Sequence, residues 1–238
     1  KPVFPASLTK LMTTYVAFRA VQTGELQMDS PIEITTEATK EPPSKMGYAA
    51  GSVLTLDNAI KILMVKSAND VATAIAINVG GSEDAFAARM NAEAKRLGMT
   101  QSHFINAHGL HSERQFTSAR DLAILGISLR RDFPQYASYF ELDALADGQN
   151  IMENTNTLIG RFEGADGMKT GYTCPSGFNL VATATKQGRS LLTVVIGEFS
   201  PEQRADKAAD LLGNGFLNAP GDAPLLANLR PNAAASTE

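Results

Sequence analysis

The sequence has 238 residues, 44% of them hydrophobic and 19% charged, which is enough for one sizeable globular domain with a buried core. Its formal net charge of -4 argues against a nucleic-acid partner, because binding phosphates requires a positive field. There is no uncharged apolar run of about 18 residues, so the sequence predicts neither a transmembrane helix nor a signal peptide.

Helical periodicity dominates the first part of the chain. Apolar residues recur at helical spacing from Ser7 to Thr23, and Gly24 follows as a natural stop. The stretch 25–53 is rich in proline and glycine and predicts loop, with at most short strands around "IEIT". Further helices are predicted over Leu56–Val65, over the nearly all-apolar "SANDVATAIAINVGG", over Ser82–Leu97, and from a cap at Thr117 or Ser118 toward Phe133.

The pattern changes after Asp147. Segments rich in Val, Thr, Ile and Phe alternate with turn signals, which predicts antiparallel strands joined as a meander. They are "GMKTGYT", "FNLVATATKQ" and "RSLLTVVIGEF". A Ser-Pro start at Ser200 then opens a last helix, and residues 219–238 lack periodicity, which predicts a flexible tail or a linker.

These elements predict an α+β fold, in which a helical lobe packs on an antiparallel sheet flanked by helices. We expect one domain over residues 1–218. Its helical lobe is predicted at about 25–150, and its sheet lobe is predicted from 1–24 and 151–218. The cleft between two lobes is the default place for a binding site.

Three short motifs fall where a shared site would need them. Ser7 and Lys10 form S-x-x-K at a helix start, Ser67 and Asn69 form S-x-N at a turn, and residues 169–171 form K-T-G on a strand. Each motif alone is a weak signal, and S-x-x-K is expected by chance in a chain of this composition. Their joint presence in this order indicates one catalytic site.

The first motif pairs a nucleophile with a base. Residues three apart share a helix face, so the Lys10 amine reaches the Ser7 hydroxyl. Lys10 accepts a proton only if its pKa falls, and burial beside the cation Lys169 would lower it. The free Ser7 N–H at the helix N-terminus suits an oxyanion. The alternative is an N-capping serine with a solvated lysine.

The second motif offers a proton relay and an amide. Ser67 is predicted to pass a proton to the leaving amine, and Asn69 to hold both Lys10 and a substrate peptide group. The alternative for both residues is capping of the helix that follows.

The third motif offers a binding edge. Lys169 and Thr170 are predicted to present a positive charge and a hydroxyl to one side, and Gly171 to let the substrate backbone lie against the strand. The next residue, Tyr172, would supply a second oxyanion N–H. A plain turn or strand edge is the alternative.

The cysteine and the histidines predict no metal or cofactor. Cys174 is the single cysteine, which excludes an internal disulfide, and we expect it to be a small buried hydrophobe. His103, His108 and His111 match no zinc pattern, and His108 in "NAHGL" reads as a structural loop residue.

The chain resembles the serine D-alanyl-D-alanine carboxypeptidases, which are low-molecular-mass penicillin-binding proteins, from about Pro5 to Phe216. The resemblance rests on "PASLTKLM", "KSANDVA", "INAHGL" followed by "TSARDLA", and "GADGMKTGYTCPSGFNLVATAT". It implies the fold shared with serine β-lactamases. It also implies acylation of the motif serine by a peptidoglycan stem peptide ending in D-Ala-D-Ala, release of the terminal D-alanine, covalent inhibition by β-lactams, and a periplasmic or extracytoplasmic location.

The resemblance also assigns roles to single residues. Ser7 becomes the nucleophile, Lys10 its base, Ser67 and Asn69 the second motif, and residues 169–171 the third. An arginine early in the last helix of that family matches Arg204 by its distance to "LLGNGF". A guanidinium binds a carboxylate in a bidentate way, so Arg204 is predicted to hold the terminal carboxylate.

Two departures from the family pattern set expectations about the chain. Family members carry strands before the S-x-x-K helix, whereas six residues precede Ser7 here, so we expect part of the sheet to be missing. The additional β domain and the amphipathic anchor of some members are also expected to be missing, which leaves peripheral membrane association of a full-length protein open.

The same three motifs also occur with, or are compatible with, other functions. A class A β-lactamase needs a glutamate in an E-x-x-L-N pattern between the second and third motifs, and "ELDAL" near Glu141 lacks it. A D,D-endopeptidase and a non-catalytic binder of cell-wall peptides or penicillin stay open as alternatives to the carboxypeptidase.

Overall fold

The computed structural model describes residues 2–218, 221 and 223–229. The helices in these ranges are α1 (Thr9–Gln22), α2 (Leu56–Val65), α3 (Asn69–Gly80), α4 (Glu83–Leu97), α5 (Ala119–Asp132) and α6 (Pro201–Leu217). The strands are β1 (Pro31–Glu33), β2 (Val53–Thr55), β3 (Ala144–Asp147), β4 (Asn150–Glu153), β5 (Ala165–Thr173), β6 (Gly177–Lys186) and β7 (Arg189–Glu198). Every helix expected from the periodicity is present.

Serine caps begin three of these helices, as their sequences suggested. The hydroxyls of Ser82, Ser118 and Ser200 each accept a hydrogen bond from the backbone N–H three residues later. The start of α1 differs from the prediction. A 3₁₀ turn, Ala6–Leu8, precedes it, so Ser7 lies in a tight turn before the α-helix instead of in its first turn.

The sheet is the predicted meander, in the order β5-β6-β7 with antiparallel neighbours. Lys169 pairs with Val181 across β5 and β6. Two small antiparallel pairs, β1 with β2 and β3 with β4, stand apart from it. The sequence analysis missed the β3–β4 hairpin and strand β2, because strands of three or four residues depend on their partners more than on local pattern.

The core has two parts. The larger cluster joins α1–α5 to one face of the sheet through Met168 and Val181, and the smaller one packs α6 on the other face around Leu180. Residues 1–24, expected in the sheet lobe, divide between the two sides: the turn Ala6–Leu8 contacts β5, whereas helix α1 packs in the helical cluster. Helix α1 is buried from Thr9 to Phe18, so it requires neighbours on all sides, and α2–α5 provide them.

Two further expectations concern the periphery. Cys174 is exposed in the connection between β5 and β6, so the expectation of a buried cysteine is wrong: a tight β connection leaves its residues in water. The predicted tail lies largely outside the described residues. Its described part, 223–229, includes a 3₁₀ turn at Leu226–Asn228, where the Ala227 carbonyl accepts a hydrogen bond from Arg120. None of the helices in the described ranges is long and apolar enough to cross a bilayer.

Candidate active site

All three motifs meet at one cleft of about 540 Å³ between the helical cluster and the sheet. Its lining includes Ser7, Ser67, Asn69, Thr170, Gly171, Tyr172 and Arg204. Lys10 and Lys169 lie behind this lining and are buried. A second cavity of about 600 Å³ lies between α4, α5 and residues 226–229, and no predicted site residue lines it.

The Lys10 amine is held by three oxygen atoms. Its Nζ donates to Ser7 Oγ at 3.1 Å, to Asn69 Oδ1 at 2.8 Å and to the His108 backbone carbonyl at 2.6 Å. Two of these partners are carbonyl oxygens, which only accept, whereas the Ser7 hydroxyl can also donate. A neutral amine has two N–H groups, so it satisfies both carbonyls and directs its lone pair at the Ser7 hydroxyl. This geometry suits a general base.

The surroundings of Lys10 favour its neutral form. Burial lowers the pKa of Lys10 well below the ordinary value, and the nearby charge of Lys169 lowers it further. Glu41 and Asp70 act in the opposite direction. Burial and Lys169 are the two causes that the sequence predicted for an activated lysine.

The turn before α3 presents Ser67 to the cleft. Ser67 has a left-handed backbone with a φ of 59°, a conformation that costs a non-glycine residue free energy and that clusters at functional sites. Its Oγ is buried and has no hydrogen-bond partner in the described part of the chain. An unsatisfied hydroxyl in a cleft is suited to receiving or passing a proton of a bound molecule.

Asn69 is committed to the protein more fully than predicted. Its Oδ1 accepts from Lys10, and its Nδ2 donates to the Pro42 carbonyl at 2.9 Å. One of the two amide N–H groups that the sequence analysis offered to a substrate is therefore occupied. The main consequence is orientation, since the Pro42 contact fixes the amide with its oxygen on Lys10.

Gly171 is required for a reason that the sequence did not reveal. A Cβ at this position would lie 3.0 Å from the backbone nitrogens of Ser7 and Leu8 and 3.2 Å from the Pro5 carbonyl oxygen. The absent side chain lets β5 pack against the turn that carries Ser7. In the next position, Tyr172 is half exposed and its ring stacks on Phe178 with a centroid distance of 4.2 Å.

Lys169 and Thr170, which were expected to present their groups to one side of β5, differ in their access to the cleft. Thr170 lines the cleft, while the buried Lys169 Nζ donates to the Thr170 carbonyl at 3.0 Å. Burial, and then the nearby Arg204, lowers the pKa of Lys169 to about 7.

Arg204 projects from α6 to the far end of the cleft. Its guanidinium is largely buried, donates to the Thr155 carbonyl at 3.0 Å and lies over the Phe178 ring at 5.9 Å. Thr155 was missed by the sequence analysis, because no local pattern marks it. Its hydroxyl lies 2.5 Å from that of Thr170, so the two hydroxyls and Arg204 form one polar end of the cleft.

A second missed element is the loop of residues 106–110. The Asn106 side chain accepts from the Gly109 N–H at 2.8 Å, and Gly109 adopts a φ of 93°. A Cβ on Gly109 would lie 1.9 Å from the Ala6 carbonyl oxygen, so this loop packs directly on the turn that carries Ser7. The segment "INAHGL" supported the resemblance, but nothing in it signals that the His108 carbonyl holds Lys10.

The fold and this arrangement of Ser7, Lys10, Ser67 and Asn69 define a class, the DD-peptidase fold of the penicillin-binding proteins. The solved structure of penicillin-binding protein 5 from Haemophilus influenzae superposes with a TM-score of 0.87 at 31% identity, covering 92% of this chain and 65% of that one. That of penicillin-binding protein D2 from Listeria monocytogenes, in its cefotaxime-bound form, gives 0.81 at 27% identity, covering 91% and 88%.

The chain belongs to the D-alanyl-D-alanine carboxypeptidase family, peptidase S11, whose family model matches residues 1–200. It is 35% identical over 219 residues to the D-alanyl-D-alanine carboxypeptidase DacA of Escherichia coli strain K12, covering 89% of this chain. The chain spans about half the length of the curated relatives that it matches, 54% in this case. The resemblance and the fold class predicted from the sequence are confirmed.

Proposed function

We propose that this protein is a serine D-alanyl-D-alanine carboxypeptidase that removes the terminal D-alanine from peptidoglycan pentapeptides through an acyl-enzyme. The observation that carries the proposal is the Lys10 amine, which is buried and held on the Ser7 hydroxyl by two carbonyl oxygens. Family membership supplies the substrate class.

Acylation begins at Ser7. The neutral Lys10 amine takes the hydroxyl proton while Ser7 Oγ attacks the carbonyl carbon of the D-Ala-D-Ala bond. The negative charge that develops on the carbonyl oxygen is met by the Ser7 N–H, which has no acceptor among the described residues. In this proposal the Tyr172 N–H is the second donor, since β5 packs on the Ser7 turn.

Breakdown of the tetrahedral adduct needs a proton on the leaving nitrogen. The C–N bond breaks, Ser67 delivers its hydroxyl proton to the departing D-alanine, and Lys10 returns a proton to Ser67. Arg204 and the Thr170 hydroxyl bind the terminal carboxylate, and Lys169 adds positive charge from behind the strand. Water then attacks the ester and restores the Ser7 hydroxyl.

The same nucleophile would open a β-lactam ring, because the ring amide occupies the position of the scissile peptide. Penicillin-binding protein D2 from Listeria monocytogenes has solved structures in a cefotaxime-bound and an ampicillin-bound form. For this protein we propose β-lactams as covalent inhibitors, the stem peptide as substrate, and an extracytoplasmic, periplasmic location, where that substrate lies. Peripheral membrane association of a full-length protein remains part of the proposal.

Exposure to fluorescent penicillin tests the nucleophile. We expect one covalent adduct on the native protein, located on Ser7 by intact-mass and peptide mass spectrometry, and none on Ser7→Ala. Ser190→Ala, an exposed serine on β7 outside the cleft, is the matched control and should label like the wild type. An unlabelled native protein, or a Ser7→Ala variant that still labels, would contradict the proposal.

Substrate choice is tested by product analysis. Release of D-alanine from a pentapeptide, with slower cleavage of a crosslinked dimer, supports a carboxypeptidase. The reverse order supports the D,D-endopeptidase, and binding of both peptides without turnover supports the non-catalytic binder.

A further inference from the structure

Outside the lining of the cleft, two acidic side chains and a histidine approach one another. One side-chain donor atom each from Glu41, Glu83 and His108 lies within 4.8 Å of the others. The His108 ring is buried, and its Nδ1 accepts from the Leu110 N–H at 3.0 Å. A neutral ring with an accepting Nδ1 carries its proton on Nε2, so it presents a donor, and not a lone pair, to the carboxylates. This arrangement does not suit a metal ion.

The histidine is neutral and faces Glu41. Burial, and then Lys10, lowers the pKa of His108 to about 3. Its Nε2 lies 3.6 Å from Glu41 Oε1, a contact just beyond hydrogen-bond distance, and that oxygen accepts a hydrogen bond from the Thr73 hydroxyl at 3.0 Å. The Glu41 carboxylate is thus fixed by α3 and directed at the proton-bearing side of the ring.

Both carbonyl oxygens that hold Lys10 are connected to Glu41. The backbone carbonyl of His108 itself accepts from Lys10 at 2.6 Å. The other acceptor, Asn69 Oδ1, is oriented by the bond from Asn69 Nδ2 to the carbonyl of Pro42, the residue that follows Glu41. The Glu41 carboxylate thus lies against the His108 ring of the loop of residues 106–110, and the backbone next to Glu41 accepts the hydrogen bond from the Asn69 amide.

We propose that Glu41 is a positioning residue for the base, holding the His108 ring and the Pro42 backbone so that two carbonyl oxygens stay on the Lys10 amine. The inference rests on the proposed function, in which Lys10 takes the Ser7 proton. Glu41 lines no part of the cleft and touches no substrate in this scheme.

The charge of Glu41 also acts on Lys10. Four charged or titratable groups face the amine from the surrounding elements: Lys169 on β5, Asp70 on α3, His108 on its loop, and Glu41. Around Glu41 itself stand Thr73, Glu83 and the neutral His108. Glu41 raises the pKa of Lys10, so removing its charge alone moves the proton loss of Lys10 to lower pH.

The test is the pH profile of the second-order rate of penicillin acylation, per labelled protein, for two variants. Glu41→Ala removes the anchor, and we expect its high-pH plateau to fall roughly tenfold, the effect of one lost hydrogen bond. Glu41→Gln keeps an oxygen atom facing Thr73 and His108, so its plateau rate should stay within about threefold of the wild type. Because the charge is gone, the acid limb, which is the pH range over which the rate rises to the plateau, should shift to lower pH. Glu83→Gln is the matched control and should keep both plateau and limb.

The outcomes separate the two proposals. A wild type that never labels overturns the proposed function itself. A labelling wild type with Glu41 variants that keep its plateau and its limb overturns the positioning role alone. The positioning role is also overturned if Glu41→Ala lowers only the fraction of protein that labels and leaves the rate per labelled protein unchanged, because such a loss is a defect of folding. If Glu41→Ala does not fold, Glu41→Asp decides, because it keeps the charge but draws the carboxylate back from Thr73 and His108: a plateau equal to that of the wild type then overturns the positioning role.

Discussion

Two lysines are buried at this site, and their environments suit different tasks. Lys10 has three oxygen partners, one of which is the Ser7 hydroxyl, so a lone pair on its amine has a defined target. Lys169 donates to the carbonyl of its own neighbour and is repelled by Arg204. Its charge disfavours a proton on Lys10, and in the proposed function it would also attract the carboxylate of the substrate to the cleft.

The first prediction concerns the pH dependence of acylation. Burial and Lys169 depress the pKa of Lys10, so the acylation rate should rise with pH to a plateau, with a midpoint well below 10.5. In Lys169→Met the repulsion is gone, and the acid limb should move to higher pH. Stopped-flow labelling by penicillin from about pH 5 to about pH 10 measures this. Lys186→Met, at a lysine paired with Glu163 on the surface, should leave the limb in place.

The second prediction is that Lys169 destabilises the fold. Its pKa is about 7 when folded, against roughly 10.4 when unfolded. Between these values the unfolded chain binds a proton that the folded chain lacks, so stability rises with pH across this window. Below the folded pKa, Lys169 is protonated in both states, and the full free-energy cost of burying its charge lowers the stability of the fold. Lys169→Met should therefore be more stable at about pH 6, by on the order of 1–4 kcal/mol, and this gain should shrink toward about pH 10.

Denaturant unfolding at the two pH values, with far-UV circular dichroism, measures the gain. A variant less stable than the wild type at low pH, or a gain that grows with pH, contradicts the argument. Loss of acylation in the same variant is compatible with it, because sites that bind charge are often built at the expense of stability.

At the scale of elements, the turn Ala6–Leu8, which carries Ser7, is contacted by two other segments. Gly171 of β5 lies against the backbone of Ser7 and Leu8, and Gly109 lies against the Ala6 carbonyl. Ala6 itself has a left-handed φ of 47°. A single residue held in this conformation persists only where its surroundings determine it, so we attribute the position of Ser7 to these two contacts.

The third prediction follows from the close approach of Gly109. An alanine there combines a φ of 93° with a Cβ 1.9 Å from Ala6 O, so the loop or the turn must move. We expect Gly109→Ala to lose at least about 3 kcal/mol of stability and most of the acylation rate. Gly148→Ala, with a φ of 59° and nothing within 4 Å of the added Cβ, should cost only about 1 kcal/mol and leave acylation unchanged. Equal losses in the two variants would show that backbone strain, and not the contact, decides.

Elements with a strong local signal were predictable. Helix α2 has the bounds read from its periodicity, and the serine at position 118 caps α5 as expected. The three motifs were predictable because each follows a spacing fixed by local geometry. Three other contributors could not be predicted, because their roles depend on contacts with residues distant in the sequence. Thr155 contacts a residue 15 positions away, the His108 carbonyl one 98 positions away, and Glu41 one 32 positions away.

On the scale of the whole molecule, the two lobes share the larger of the two core clusters. Helix α1 carries Lys10 and packs among α2–α5, and the same cluster continues into Met168 and Val181 of the sheet. The assignment of α1 to the sheet lobe failed at this scale, because a sequence shows which residues are apolar and not which neighbours bury them. The site depends on the shared core, since its base and its binding strand come from opposite sides of it.

The last prediction is that the domain proposed over residues 1–218 unfolds as one unit. The larger cluster is shared between the helices and one face of the sheet, so unfolding of the helical lobe would expose the apolar side chains on that face, and the reverse. Denaturant curves from far-UV circular dichroism and from residual penicillin labelling should coincide. Leu192→Ala, which truncates a side chain packed between the sheet and Gly126 of α5, should shift both curves equally. Labelling that disappears before the helices unfold, or a Leu192→Ala shift confined to one probe, would mean that the lobes separate and that the cleft opens without global unfolding.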